Sequence, residues 1–549
     1  MSAVSQAHNE EEAVRHCSQG GLLRKQGQLA AAVASYELAI AAKPDFALAH
    51  CLRGFTLVLL GRPDEALASF NTAMRLRPDY EAAHRLHADL VARMVAEHIT
   101  RASTLLDEGR LADAVSSCDR ALALRADMIG AHLHRGLALL LLGRREEALR
   151  SYREAIRLDP EYAPAYSDCA LVLIELEQPQ EAVALCERAL AIDAGLLGAH
   201  LNRGMALKWM GQPREALASL QAALRVAPDC AEAHWNAALC HLQLGEFAAG
   251  WREHEWRKRM REPLGARQLP CREWLGDEPL EGKTLFIHAE QGLGDTLQFC
   301  RYATLARAAG AAVVISAPST LCPLLTGLGA GIQVIANEAA PPPGLDFHCA
   351  MLSMPFAMQT RLDTIPDPGR YLCTDPERVR GWKDRLGTHG LKVGVRWQGR
   401  SGIRADIGRS LPLAALAPLA DIPGIRLISL QKGAGLEQSA ALSERVSLEH
   451  VLDDGEGPES WLDTAALLDC LDLVITSDTS VAHLAGALAR PTWVALKFSP
   501  DWRWLLDRND TPWYGSVRLF RQTRPGDWSS VFAEMRAALL AGAAADGRV

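Results

Sequence analysis

The chain has no Cys-x-x-Cys pair, and its 13 cysteines are scattered singly. That spacing excludes a zinc ribbon and a dithiol redox motif, and an odd number of dispersed thiols fits reduced, packed side chains rather than a disulfide framework. Long apolar runs are also missing. The stretch from Leu137 to Leu142 falls far short of the roughly 20 residues a membrane helix needs, so no membrane span is expected. The opening residues, Met1-Ser2-Ala3-Val4-Ser5-Gln6, carry neither the basic nor the apolar region of a secretory signal. A cytoplasmic location is therefore expected. Basic charge is not in excess either, since 58 Lys and Arg stand against 66 Asp and Glu for a net charge of −8, which argues against nucleic acid as a partner.

Two cofactor signatures are absent as well. Gly292-Leu293-Gly294-Asp295-Thr296-Leu297 lacks the third glycine of a dinucleotide fingerprint, and no Gly-x-x-x-x-Gly-Lys-Ser/Thr phosphate loop occurs. Neither NAD nor a P-loop nucleotide is expected.

At 549 residues the chain is too long for one core, and three or four units are expected. The first half is periodic. A turn landmark recurs at Gly27, Gly61, Gly109, Gly143, Glu177, Gly211 and Gly245, with steps of 34, 48, 34, 34, 34 and 34 residues. A small residue keeps the same phase at Gly20, Gly54, Ala88, Gly136, Ala170, Gly204 and Ala238, and alanines follow at Ala32, Ala66, Ala114, Ala148, Ala182 and Ala216. Pro44, Pro78, Pro160 and Pro228 close repeats, because proline cannot continue a helix interior. Over residues 10–260 these features resemble the tetratricopeptide-repeat (TPR) family, which implies about seven helix pairs stacked into an all-α superhelix with a concave groove. The long step predicts one extended helix near 81–107, or else a bend. The resemblance also implies that Asn202 and Asn236 line a peptide-binding groove; as residues they equally fit solvated helix positions. His16, His50, His84, His132, His200 and His234 share one repeat position and read as packing residues, since side chains a full repeat apart do not form a coordination shell.

After the charged stretch beginning at Arg257 the period ends, and residues 261–283 read as a linker. An α/β pattern follows, with strand-like runs at Thr284–His288, Ala312–Ser316, Ile332–Ile335 and Phe347–Met351 and a helix over 296–309. Thr374-Asp375-Pro376-Glu377 is a helix start. A second series runs through Lys392–Trp397, Ile425–Leu430 and Leu471–Ile475. Two Rossmann-like lobes, 284–374 and 392–549, joined by a helical segment at 375–391, leave a cleft at the carboxyl ends of their strands.

Gly292-Leu293-Gly294-Asp295 resembles the opening loop of the lipopolysaccharide heptosyltransferases of glycosyltransferase family 9. Ser477-Asp478-Thr479-Ser480-Val481-Ala482-His483 is similar to that family's second signature. The resemblance implies a GT-B fold and an inverting transfer from a nucleotide-sugar without a metal cofactor. It makes Asp295 the base, an activity a carboxylate within reach of an acceptor hydroxyl can perform; the other reading of Asp295 is a helix cap. It places Gly292, Gly294, Asp478, Thr479, Ser480 and His483 at the donor, the helix start holding the departing diphosphate. Arg396, Gln431 and Lys432, at strand ends facing the same cleft, join them. Trp502, Arg503, Trp504, Trp513 and Tyr514 read as a tail packed across the lobes, and Asp453-Asp454-Gly455-Glu456 as a solvated loop. Repeats followed by such a unit resemble O-GlcNAc transferase and bacterial flagellin-modifying transferases, which implies sugar transfer to Ser or Thr of a protein acceptor. A saccharide-building transferase docked by its repeats, or an inactive scaffold, are the alternatives.

Overall fold

The computed structural model describes residues 3–260, 267, 269–367, 369–399, 408–441, 446–453, 455 and 457–545. Arg400, Arg404, Asp454 and Glu456, and residues 261–266 and 268 of the expected linker, lie outside them. The chain forms two compact units, Met1–Ala199 and His200–Val549, so the division falls inside the repeat array. No helix among the described residues is long and apolar enough to cross a membrane.

The first unit is built from helix pairs such as Ala47–Leu59 with Pro63–Leu76 and Ile129–Leu141 with Arg145–Leu158. The turn glycine has a conformational reason. Gly61 is left-handed at φ 71°, donates to Val58 O, and lets Arg62 N reach back to Leu57 O, which closes the helix end. Glu177 occupies the equivalent turn at φ 60°. The small position has a packing reason, because a Cβ at Gly54 would stand 2.8 Å from the Phe70 ring and one at Gly136 2.8 Å from Tyr152. The shared histidines are loop clasps: Nε2 of His50, His84 and His132 bonds the carbonyl six residues earlier, at Pro44, Pro78 and Ala126, over 3.1, 2.9 and 3.0 Å. Glu81–Asp107 is one unbroken 27-residue helix.

The second unit continues the array through the helices Leu197–Trp209, Pro213–Val226, Ala231–Gln243 and Phe247–His254 and a 3-10 turn at Glu255–Arg259. Two parallel sheets follow. The first contains β1 (Arg272–Glu273), β2 (Thr284–His288), β3 (Ala312–Ala317), β4 (Ile332–Ala336) and β5 (Phe347–Ala350) in the order β1-β5-β2-β3-β4. The second contains β6 (Leu391–Arg396), β7 (Ile425–Ser429), β8 (Glu449–His450), β9 (Leu473–Ser477), β10 (Thr492–Leu496) and β11 (Val517–Arg521) in the order β11-β10-β9-β6-β7-β8. The helix Pro376–Leu386 comes between them in sequence, capped by Asp375, whose Oδ1 accepts from Glu377 N at 2.8 Å. This parallel α/β build is consistent with two Rossmann-like lobes. β1 lies within the stretch expected as linker; a two-residue edge strand has no periodicity to read.

Strand alternation sorts side chains into two cores. Val474 joins one and its neighbours Leu473 and Ile475 join the other. The first core is continuous from Leu242, Phe247 and Trp251 of the last repeat, through Leu285 and Ile287 of β2, to Val481, Trp502 and Trp513. Trp251 meets Trp502 edge-on at 5.2 Å and donates through Nε1 to Thr360 O at 3.1 Å. The second core packs Val393, Val395 and Trp397 against Phe532 and Met535 of the helix Trp528–Ala545.

Candidate active site

The first loop leaves β2 at His288 and turns into the helix Leu293–Phe299. Asp295 sits at its third position, and Oδ2 accepts from Gly292 N at 2.8 Å, so the carboxylate does serve the helix end. The loop is anchored from the end of the repeat array. Arg257, fully buried, donates through Nε and Nη2 to the Glu290 carboxylate at 3.1 and 2.7 Å, and through Nη2 to Ser353 Oγ at 2.7 Å. Burial pushes the Glu290 carboxyl above its ordinary value, with Arg257 opposing.

The second loop leaves β9 at Ser477 and enters the helix Ser480–Ala487 through Thr479. Thr479, not Asp478, is the residue before the helix, and its Oγ1 lies 3.0 Å from Thr476 Oγ1. The two loops touch at Gly294: a Cβ there would stand 2.9 Å from His483 Cδ2 and 3.6 Å from Ser480 Cα. His483 is buried, bonds Tyr514 Oη through Nδ1 at 2.9 Å, and stacks on Trp504 at 5.6 Å. Burial, assisted by the Arg503 charge, lowers its pKa to about 3, so the ring is neutral.

Arg503 joins the loops electrostatically, a role that reading it as tail packing does not anticipate. It comes from the turn Trp502–Trp504, which Asp501 caps by accepting from Arg503 N at 3.0 Å. Its Nη2 donates to Asp295 Oδ1, its Nη1 to Asp501 Oδ1 at 2.9 Å and its Nε to Gln298 Oε1 at 2.7 Å. The guanidinium lies over Trp502 at 4.3 Å. Burial raises Asp295 although Arg503 opposes it. Asp501, equally pressed by burial, is held below its ordinary value by Arg503. Asp478 is raised to about 6, first by burial and then by the Asp501 charge. The visible clue to Arg503 is the alternation Asp501-Trp502-Arg503-Trp504, charges interleaved with large aromatics.

The other predicted residues stand at the ends of β6 and β7, which pair through Val395 and Ser429. Arg396 donates through Nη1 to Leu430 O at 2.9 Å, and burial pushes it down to about 10. Gln431 braces the loop: Oε1 accepts from Trp397 N and Gln398 N at 3.3 and 3.0 Å, and Nε2 donates to Ala434 O at 2.6 Å. Lys432 bonds Ser460 Oγ and reaches Gly455 O at 3.5 Å. Asn202 is buried; Asn236 donates to Glu232 O at 2.9 Å and accepts from Lys208 Nζ at 3.5 Å. Beside that pair the repeats meet the segment after β10, where Lys497 lies 5.3 Å from the Trp209 ring and Ser499 Oγ donates to Lys208 O at 2.7 Å. Among the described residues no group of three His, Cys, Asp or Glu is placed to hold a metal ion.

Tetratricopeptide-repeat family models match residues 47–80, 129–162 and 201–250, and a TPR-repeat model matches 20–61. Protein FlbA of Caulobacter vibrioides is 28% identical in an alignment of 321 residues that covers 54% of this chain and 53% of FlbA. The chain thus spans about half the length of the curated relative it matches. Among solved structures, YrrB, a TPR protein with an unusual peptide-binding site, is 21% identical over 35% of this chain and 92% of its own, with a TM-score of 0.26. TTC0263, a thermophilic TPR protein of Thermus thermophilus, is 25% identical over 36% and 99%, with a TM-score of 0.25. This chain therefore carries tetratricopeptide repeats, followed by a parallel-sheet α/β region.

Proposed function

We propose that the chain is a cytoplasmic GT-B glycosyltransferase, one that moves a sugar from a nucleotide-sugar to a Ser or Thr hydroxyl of a protein presented by the repeats. The observation that carries this reading is the meeting of the Gly292–Asp295 and Asp478–His483 loops at Gly294. The acceptor proton passes to Asp295 as the acceptor oxygen bonds the anomeric carbon; the bond from that carbon to the diphosphate breaks, and the diphosphate leaves with the electron pair. One displacement inverts the centre, and no metal is required. The amide N–H groups opening the helix Ser480–Ala487, with Thr479 and Ser480, hold the diphosphate, while Asp478 and Lys432 face the donor. The TPR fold supports a protein or peptide partner, and the acceptor is assigned to it by analogy with other repeat proteins. A second reading, a repeat scaffold with an idle α/β half, draws on the engagement of both Asp295 oxygens within the chain.

Thermal unfolding of the whole protein with UDP, GDP, ADP, CMP and their sugars tests the first reading. Ligand at about 100 times its Kd stabilises by roughly 2.7 kcal/mol. A nucleotide-selective rise in Tm that disappears in Asp478→Ala and Lys432→Ala is the expected result. A well-folded protein that responds to none of them sinks the transferase reading in favour of the scaffold.

A further inference from the structure

Arg503 carries charge from the second lobe to the first. It reaches 208 residues back along the chain to Asp295, yet it also keeps Asp501 at 2.9 Å and Gln298 at 2.7 Å. One guanidinium therefore serves two carboxylates in a site where little water screens them, since only about a tenth of its side chain is exposed. The groups facing this pair come from several elements. Asp501 lies on the same turn, Asp478 and His483 on the second loop and its helix, and His254 on the last repeat helix, while Arg409 and Lys497 face Asp478. Both histidines are held neutral by burial, which leaves Arg503 as the cation nearest Asp295 and Asp501 as its competitor.

We propose that Arg503 is a positioning residue for Asp295, and that Asp501 divides its charge: the guanidinium aims the carboxylate at the meeting of the two loops, and Asp501 stops it from neutralising that carboxylate fully. This rests on the transferase reading, in which Asp295 is the base. A base wholly neutralised by an arginine is weak, and one left unpaired in a buried site is protonated; sharing the cation places Asp295 between those limits. It also explains why a tail residue lies against a first-lobe loop.

The measurement is residue-resolved carbodiimide labelling of the full-length protein across a pH series, with an amine as trapping nucleophile and the Asp295 peptide followed by mass spectrometry. The side chain is a fifth exposed, enough for the reagent to reach it. The carboxyl oxygen adds to the carbodiimide carbon as the acid's proton passes to nitrogen, and the amine then displaces the urea, so labelling rises as pH falls through the titration of Asp295. Arg503→Gln should move the midpoint to higher pH, Asp501→Asn should move it to lower pH, and Arg503→Lys should restore most of the wild-type value. A structural role alone produces no such opposed pair. If Arg503→Gln does not fold, Asp501→Asn and Arg503→Lys still decide the matter. Midpoints that stay fixed, or that move the same way in both variants, overturn the proposal. The readout needs no donor, so a silent nucleotide panel defeats the transferase reading, whereas unmoved midpoints in a protein that binds nucleotide defeat only the role given to Arg503.

Discussion

Both compact units contain the 34-residue pattern, the second only at its start, but they use it differently. In the first, the small position, the left-handed turn and the histidine clasp all act between neighbouring helices, and the buried residues fall into small clusters such as Cys17, Tyr36 and Ala49. In the second, Leu242, Phe247 and Trp251 belong to the core that also holds β2 and the Trp502–Trp513 region, and Arg257 ends the array by pairing with Glu290. A repeat that contacts only its neighbours is modular. One that shares a core with a sheet has become part of the domain it precedes. The last repeats thus help to hold the loop that leads into Asp295.

The sharpest way to break this comparison is to remove one arginine from each unit. Arg257→Ala leaves Glu290 buried without its cation and should cost about 3–5 kcal/mol. Arg53→Ala removes a half-exposed pair with Glu37 at 2.9 Å and should cost under about 1 kcal/mol. All 13 tryptophans lie beyond Ala199, so urea unfolding followed by tryptophan fluorescence reads the second unit alone, and amide exchange in the 47–76 peptides reads the first. Equal losses would show that the last repeats are no more integrated than the others.

A smaller effect, in the second unit, depends on pH. His288 is buried with neither ring nitrogen hydrogen-bonded, and burial, assisted by His348, lowers it to about 3 from an ordinary 6.5. Below pH 6.5 the unfolded chain binds a proton that the folded chain refuses, so this residue's contribution to stability is lost as pH falls from 6.5 toward 3. Asp478, raised to about 6, acts in the opposite sense between its folded and unfolded values and is common to both proteins compared. His288→Phe should therefore gain stability over wild type by about 2 kcal/mol more at pH 5 than at pH 7.5, seen in tryptophan fluorescence melts. A pH-independent difference would show that His288 titrates normally.

The smallest effect lies in the first unit. Glu177 holds the left-handed turn that glycine fills elsewhere. Relieving it in Glu177→Gly should stabilise that turn by roughly 0.5–1 kcal/mol, after allowance for the freer unfolded chain. Slower amide exchange around 170–180 is the expected outcome, and unchanged exchange would mean the glutamate is unstrained there.

What the sequence makes legible follows from what repeats along it. The 34-residue phase places Gly61 and Gly54 at the turn and the close approach where they are found, and apolar runs locate β2 at Thr284–His288 to the residue. Short or interrupted elements carry no such signal: β1 and β8 have two residues each, and the helix expected over 296–309 is broken at Cys300 into Leu293–Phe299 and Arg301–Ala308. The candidate site divides the same way. The motif residues Gly294, Asp295, Ser480 and His483 could be named from local pattern. Arg503 and Tyr514 are legible only as packed tail residues, and their roles are not, because Arg503 meets Asp295 across 208 residues and Tyr514 meets His483 where only the folded sheets bring the two segments together.

The long helix Glu81–Asp107 sets a rule for how this array can change length. It exceeds its 13-residue counterparts by 14 residues, and at 100° per residue that addition falls only about 40° short of four full turns. The apolar stripe leaves the added segment facing nearly the way it entered. Additions of seven residues would preserve that phase about as well, whereas nine would turn the following helix pair roughly half a turn away from its neighbour. Lengths along this arm are therefore quantised, and a designer or a lineage extending it by whole turns changes its reach without rewriting its packing code.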